Sequence, residues 1–203
     1  MSIESDLKST ARAATDTAVD FERLSEALGR RAAAEGILDL TYAVVESPLG
    51  NLLAVATPRG LVHLGYPDRP VDAQLELLTT RISPRILESP RGLDPVRRQL
   101  DEYFGGRRRE FDLDLDWQLS AGFVRAVLER TAAIPFGETR TYGEMAAAAG
   151  SPRAFRAAGR ALGANPIPIV VPCHRVLRSG GGLGGYGGGV DVKRELLSLE
   201  GVL

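Results

Sequence analysis

Cys173 is the only cysteine in the chain, and His174, one of two histidines, follows it directly. They sit in the run Ile169-Val170-Val171-Pro172-Cys173-His174-Arg175-Val176, where β-branched apolar residues are stopped by a proline. Val and Ile favour a buried extended segment, and Pro172 has no N–H to pair. The thiol is therefore expected at the mouth of a core strand, buried at its stem and reachable at its sulfur. A free cysteine is commonly a small apolar filler. Here the neighbours point to a nucleophile: His174 can take or relay a proton, and Arg175 adds positive charge that favours the thiolate. Successive strand residues face opposite ways, so His174 serves Cys173 only if the chain turns at Pro172.

The segments that must position this thiol lie on both sides of it. Upstream, Phe123 to Ala133 carries Val124, Val127 and Leu128 on one helical face, and Ile134-Pro135-Phe136-Gly137 breaks the helix. Thr141-Tyr142-Gly143-Glu144 has the form of a capping box that starts a short helix over 142–149. Gly150 ends it, and Ser151-Pro152 is expected to start a second helix reaching Leu162, with Ser as N-cap and Pro in the first turn. Two helices joined by a tight turn make a helix-turn-helix. The second bears Arg153, Arg156 and Arg160, while Ala154, Ala157, Ala158, Gly159 and Ala161 leave it slim enough to approach a groove floor. Downstream, the glycine-dense stretch 180–189 lacks the Lys-Ser/Thr pair and the strand-loop-helix setting of a phosphate loop. Its glycines instead let backbone N–H groups come close to a ligand. A last helix, Asp191 to Glu200, presents Leu196, Leu197 and Leu199 to the core and ends on a carboxylate.

The first half reads differently. Leu40 to Val45, Leu52 to Ala56 and Leu61 to Tyr66 form an antiparallel meander through turns at Ser47-Pro48-Leu49-Gly50 and Thr57-Pro58-Arg59-Gly60. Helices are expected over 71–82 and 93–104. Asp112, Asp114 and Asp116 alternate with Phe111, Leu113 and Leu115, as in a strand with one wet face. His63, on the third strand, has no nucleophile or ligand set near it in sequence and reads as a packed strand histidine. Residues 1–37 read as an Ala-rich amphipathic helical extension with Phe21, Leu24 and Leu28 at helical spacing.

A chain of 203 residues has room for two small cores. Hydrophobic content of 44% and charged content of 25% are ordinary for a soluble protein, and no apolar stretch is long enough for a membrane span. The N-terminus lacks the layout of a secretory signal and one cysteine cannot form an internal disulfide, which points to a reducing cytoplasm. One Cys and two distant His make a poor metal cluster, so no metal and no cofactor are expected. The net charge of -1 is not that of a protein that coats nucleic acid. Between Ser151 and Arg178, however, Arg153, Arg156, Arg160, Arg175 and Arg178 occur with no Asp or Glu, a local basic face suited to a few phosphates.

Pro172-Cys173-His174-Arg175-Val176 resembles the active-site signature of the O6-alkylguanine-DNA alkyltransferases. So do, in family order, Ile134-Pro135-Phe136-Gly137-Glu138-Thr139, Thr141-Tyr142-Gly143-Glu144, Asn165-Pro166-Ile167-Pro168, Gly185-Tyr186-Gly187 and Leu196-Leu197-Ser198-Leu199-Glu200-Gly201. Residues 120–203 are covered closely and 38–119 loosely. The resemblance implies a ribonuclease-H-like α/β domain over 38–119 and a winged helix-turn-helix domain over 120–203. It implies irreversible, stoichiometric transfer of the alkyl group from O6-alkylguanine, and also from O4-alkylthymine, onto Cys173, with the base flipped out of the duplex. By the same resemblance His174 takes the thiol proton through a water, Glu200 holds the histidine, Tyr142 donates to the leaving base and Asn165 braces the turn. Val176, Tyr186, Gly187 and Arg175 would line the base pocket, with carbonyls near Cys173 and Val176 accepting from the exocyclic amine. Many relatives carry a polar residue where Gly187 stands. The partner implied is double-stranded DNA carrying alkylated bases, entered through the minor groove by the second helix with Arg156 in the vacated stack, and contacted by Arg153, Arg160, Ala157, Gly159 and Thr141. A monomer in solution is expected, with cooperativity on DNA left open. A cysteine hydrolase would use the same side chains but needs an acyl cleft, and a non-catalytic sensor of alkylated DNA would lack the acceptor that Cys173 supplies.

Overall fold

The computed structural model describes residues 36–203, preceded by Ala27, Gly29, Arg31 and Ala32 in helical conformation. The apolar positions of the expected extension, Phe21, Leu24 and Leu28, lie outside the described residues. β1 (Leu40–Val45), β2 (Leu52–Thr57) and β3 (Gly60–Gly65) form the expected antiparallel meander. A short β4 (Ile86–Glu88), not expected from the sequence, joins parallel to β1, so the strand order is β3-β2-β1-β4. α1 (Val71–Arg81) lies between β3 and β4 in sequence, and α2 (Asp94–Phe104) comes after β4.

The near-continuous apolar run of β2 serves two cores. Leu52 and Ala54 face a large core that reaches into the second half of the chain, while Leu53 and Val55 face a smaller one closed by Leu40, Val62 and Leu78. Alternation with period two is what lets one strand supply both faces. The strand expected over 111–116 is reduced to a single bridge between Leu61 and Leu115. Asp112 and Asp114 do face water, but Asp116 is buried. Its carboxylate accepts from Thr57 Oγ1 at 2.6 Å, Arg59 Nε at 3.0 Å, and the backbone N–H and side-chain amide of Gln118 at 3.1 and 2.8 Å. Thr57 and Arg59 fasten the β2–β3 turn to the segment that leads into the second half, and the two Gln118 donors fold that segment back on Asp116, which explains why the alternation ends there.

α3 (Gly122–Ala132), β5 (Arg140–Thr141), α4 (Tyr142–Ala148), α5 (Phe155–Gly163), β6 (Val176–Leu177) and α6 (Val190–Leu199) build that half. The capping box is present: Thr141 Oγ1 accepts from Glu144 N at 3.2 Å, and the Glu144 carboxylate accepts from Thr141 N at 2.6 Å. α5 starts three residues later than expected, at Phe155, with Ala154 as N-cap and no side-chain cap. Ser151-Pro152-Arg153 belongs to the turn, closed by Ala154 N to Ser151 O at 2.8 Å, so Arg153 precedes the helix.

The largest departure concerns 167–171. This run is buried as expected but is not a strand. Ile169 has φ 72°, and Val171 N donates to Ile167 O at 2.9 Å, so the run folds back on itself. Cys173 therefore stands at the head of a 3-10 turn, Cys173–Arg175, and not at a strand mouth. The turn needed for His174 to sit behind Cys173 is present.

Candidate active site

The turn holding Cys173 is braced from within by Asn165. Its Oδ1 accepts from Ile167 N at 3.0 Å, and its Nδ2 donates to Val171 O at 2.8 Å and to Cys173 Sγ at 3.2 Å. One amide thus stabilises a positive-φ turn and touches the sulfur. Burial pushes the Cys173 thiol up, an effect the Asn165 hydrogen bond, the charge of Lys193 and a Tyr186 hydrogen bond offset only in part. The resting group is a thiol, so a base is required at the moment of reaction.

Behind the thiol lies a buried cluster. Glu200 Oε1 accepts from His174 Nε2 at 2.9 Å, Arg175 Nη2 at 2.8 Å and Tyr103 Oη at 2.7 Å, and Oε2 accepts from Arg175 Nε at 2.8 Å. Burial would raise the Glu200 carboxyl, but hydrogen bonds from His174 and Arg175 outweigh it and hold the group down to about 2. An ionised carboxylate only accepts, which assigns the proton to His174 Nε2 and leaves Nδ1 with a free lone pair. Nδ1 is buried and has no protein partner among the described residues. Burial lowers His174 more than Glu200 raises it, so the ring rests neutral with Nδ1 as its basic atom.

Sγ opens onto a cavity of about 770 Å³ walled by Tyr142, Gly159, Cys173, Gly184, Tyr186 and Gly187. Tyr142 is half-buried at the start of α4, and burial raises its hydroxyl, keeping it a protonated donor. Gly159 of α5 faces it: a Cβ there would stand 3.7 Å from the Tyr142 ring. The Gly187 N–H makes no backbone hydrogen bond among the described residues.

Two expected pocket residues are elsewhere. Arg175 points away from the cavity: it chelates Glu200 and donates through Nη1 to Ile134 O at 2.5 Å, so its charge is neutralised by the carboxylate and does not support a thiolate. Val176 is buried in the core, and its carbonyl accepts from Lys193 Nζ at 2.6 Å. Arg153, Arg156 and Arg160 are exposed on the turn and on α5, with Arg156 over the ring of exposed Phe155 at 5.3 Å. Ala157 is half-buried, and the Thr141 hydroxyl is taken by its cap. His63 bonds Gln74 at 3.1 Å and takes no part in the cluster around Glu200.

Two site residues escaped the sequence reading. Tyr103, on α2, reaches Glu200 across 97 positions, and no local pattern announces it. Lys193 donates to Val176 O and Leu183 O, joining β6 to the glycine-rich loop, and burial pulls its ammonium down to about 8. A signal existed: it is one of two lysines in an arginine-rich chain, on the helical face of Leu196 and Leu197.

Two family models match this chain: the 6-O-methylguanine DNA methyltransferase ribonuclease-like domain over residues 40–117 and its DNA binding domain over 122–202. Among curated relatives, the methylated-DNA–protein-cysteine methyltransferase of Mycolicibacterium paratuberculosis is 45% identical over 161 residues, 79% of this chain and 92% of the relative. That of Methanosarcina barkeri is 40% identical over 159 residues, 78% of this chain and 96% of the relative. The crystal structure of Mycobacterium tuberculosis OGT in complex with DNA superposes with TM-score 0.68 at 39% identity, covering 79% of this chain and 92% of that one.

Proposed function

Because the chain belongs to the 6-O-methylguanine DNA methyltransferase family, we propose that Cys173 is the acceptor in a direct, single-turnover repair of O6-alkylguanine in DNA. The observation that carries this reading is the placement of one thiol at the floor of a base-sized cavity, with Asn165 on the sulfur and a neutral, carboxylate-anchored histidine behind it. His174 Nδ1, the free lone pair, receives the thiol proton through one water. The thiolate attacks the alkyl carbon in line with O6, an S–C bond forms as the C–O6 bond breaks, and the electron pair leaves with the guanine. Tyr142 donates a proton to the ring nitrogen, neutralising the departing base. Glu200 stabilises the imidazolium, and Arg175 and Tyr103 keep that carboxylate ionised and fixed. The product thioether is inert to water, so each molecule acts once. The Gly187 N–H is free for the base oxygen, and the Cys173 carbonyl, which accepts from Val176 N, has a second lone pair for the exocyclic amine.

α4, the turn 149–154 and α5 serve as a helix-turn-helix with β5–β6 and the glycine-rich loop as its wing, and double-stranded DNA is met through the minor groove. Gly159 and Ala157 keep the face of α5 slim beside the cavity, and exposed Arg153, Arg156 and Arg160 meet phosphates, with Arg156 filling the gap of a flipped nucleotide. A monomer suffices for this geometry. Among the described residues no helix is long and apolar enough to cross a membrane, in keeping with action on DNA in a reducing cytoplasm.

Intact-protein mass after mixing with a duplex bearing one O6-methylguanine tests the reading. One methyl per molecule on Cys173, absent in Cys173→Ser, is expected. Tight lesion binding with no mass gain would leave a damage sensor instead.

A further inference from the structure

The glycine-rich loop that walls the cavity is held by two tyrosines, one from each half of the chain. A Cβ at Gly184 would stand 2.6 Å from the Tyr142 hydroxyl. One at Gly188 would stand 2.9–3.0 Å from three ring carbons of Tyr66, which lies just past β3 in the first domain. Tyr66 also bonds Tyr186, hydroxyl to hydroxyl, at 2.7 Å, with the rings edge to face at 5.9 Å. Tyr186 in turn walls the cavity together with Cys173 and stands edge-on to the His174 ring at 6.4 Å. Tyr66 is itself fixed from behind. Gln74 Nε2 donates to its carbonyl at 3.1 Å and to Arg69 O at 2.8 Å, and Leu64 N donates to Pro166 O at 2.8 Å, next to the Asn165 brace.

We propose that Tyr66 is a positioning residue for alkyl transfer, acting through Tyr186 to fix the wall of the cavity above the thiol. The first domain, none of whose described residues lines that cavity, thereby sets its shape. A second cavity of about 610 Å³ lies between the domains. Cys173, Tyr186 and Gly187 line both cavities, whereas Tyr66 lines only the second. The tyrosine pair is thus a partition beside the sulfur. With its hydroxyl bond cut, Tyr186 has room to swing toward the second cavity, widening the space around the transferred group while loosening the register of the base.

The inference rests on the alkyl-transfer reading of Cys173. It is tested by single-turnover transfer from duplexes carrying O6-methylguanine or O6-benzylguanine, at saturating protein, for wild type, Tyr66→Phe, Tyr186→Phe and the double variant. Losing one neutral hydrogen bond predicts methyl transfer slowed about three- to tenfold by Tyr66→Phe, with duplex affinity unchanged. Benzyl transfer should slow less, so the methyl-to-benzyl rate ratio falls. The double variant should be no slower than Tyr186→Phe alone, because Tyr66 acts only through Tyr186. Gly188→Ala, which pushes on the Tyr66 ring and spares both hydroxyls, should lower the same ratio. Wild-type rates in Tyr66→Phe, both substrates slowed equally, or effects of the two phenylalanines that multiply would overturn the proposal. A wild type that gains no alkyl mass would overturn the Cys173 reading instead.

Discussion

Glu200→Gln exchanges one atom and removes one charge from the carboxylate on which His174, Arg175 and Tyr103 converge. That carboxylate accepts from Arg175 through both oxygens while Oε1 also accepts from His174 and Tyr103, all within 2.9 Å. Glutamine has one carbonyl oxygen and one NH2 group. With the oxygen toward His174 and Tyr103, the NH2 faces Arg175 Nε, donor against donor. With the oxygen toward Arg175, the NH2 faces His174 and forces the proton onto Nδ1, the atom that must accept from the thiol. In either orientation the Arg175 guanidinium, with its side chain 6% exposed, is left without a counter-charge.

Removing one partner of a buried pair costs about 3–5 kcal/mol, mostly through the stranded charge. For a chain of this size that lowers Tm by on the order of 10 °C. Thermal unfolding at pH 7 measures it, with alkyl-transfer rates taken well below the transition, where a drop of about a hundredfold is expected from loss of the base. Adding Arg175→Met removes the stranded cation and lets the amide oxygen turn back to His174, so the double variant should regain at least half of the lost stability. A Glu200→Gln protein that melts within about 3 °C of wild type, or a double variant no more stable than the single, would refute the assignment of Glu200 as the charge that holds the cluster together.

The same carboxylate predicts acid sensitivity. Glu200 is held at about 2 against an ordinary 4.5, so its contribution is complete above pH 4.5 and is lost as pH falls toward 2. That difference amounts to about 3 kcal/mol, and urea unfolding should show a flatter stability slope between pH 4.5 and 2 in Glu200→Gln than in wild type. Lys193→Met leaves the carbonyls of Val176 and Leu183 without their donor. About 2 kcal/mol of stability should be lost, read as a lowered urea midpoint at pH 7. Gly184→Ala places a methyl against the Tyr142 hydroxyl at a residue with φ 72°. Left-handed strain of about 1–2 kcal/mol should come with a transfer rate reduced about tenfold while duplex affinity holds, and an unchanged rate would remove Tyr142 from the proton donor role.

The legible parts of this molecule are those whose physics is local. The meander shows in its turn residues, α4 in its capping box, and the catalytic turn in a proline set before Cys173 and His174. Where propensity met tertiary demand, the sequence misled. Ile169-Val170-Val171 has strand composition, yet its backbone finds partners in its own turn and in Asn165, and a β-branched residue takes positive φ because the Asn165 amide and the surrounding core determine it. Arg175 misled for a related reason. Adjacency to Cys173 suggested a cation for the thiolate, but a buried guanidinium goes where an acceptor can satisfy its fork, and that acceptor is Glu200. The contacts that tie the domains into one site were not readable at all: Tyr103 to Glu200 and Tyr66 to Tyr186 join residues 97 and 120 positions apart. Both are tyrosine hydroxyls, and the sequence shows only their aromatic bodies at core-like spacing, since a hydroxyl's partner depends on packing. A domain that looks like scaffold when its motifs are counted therefore supplies two of the hydrogen bonds on which the geometry around Cys173 depends. That is why separating the C-terminal half by its motifs alone would discard part of the site.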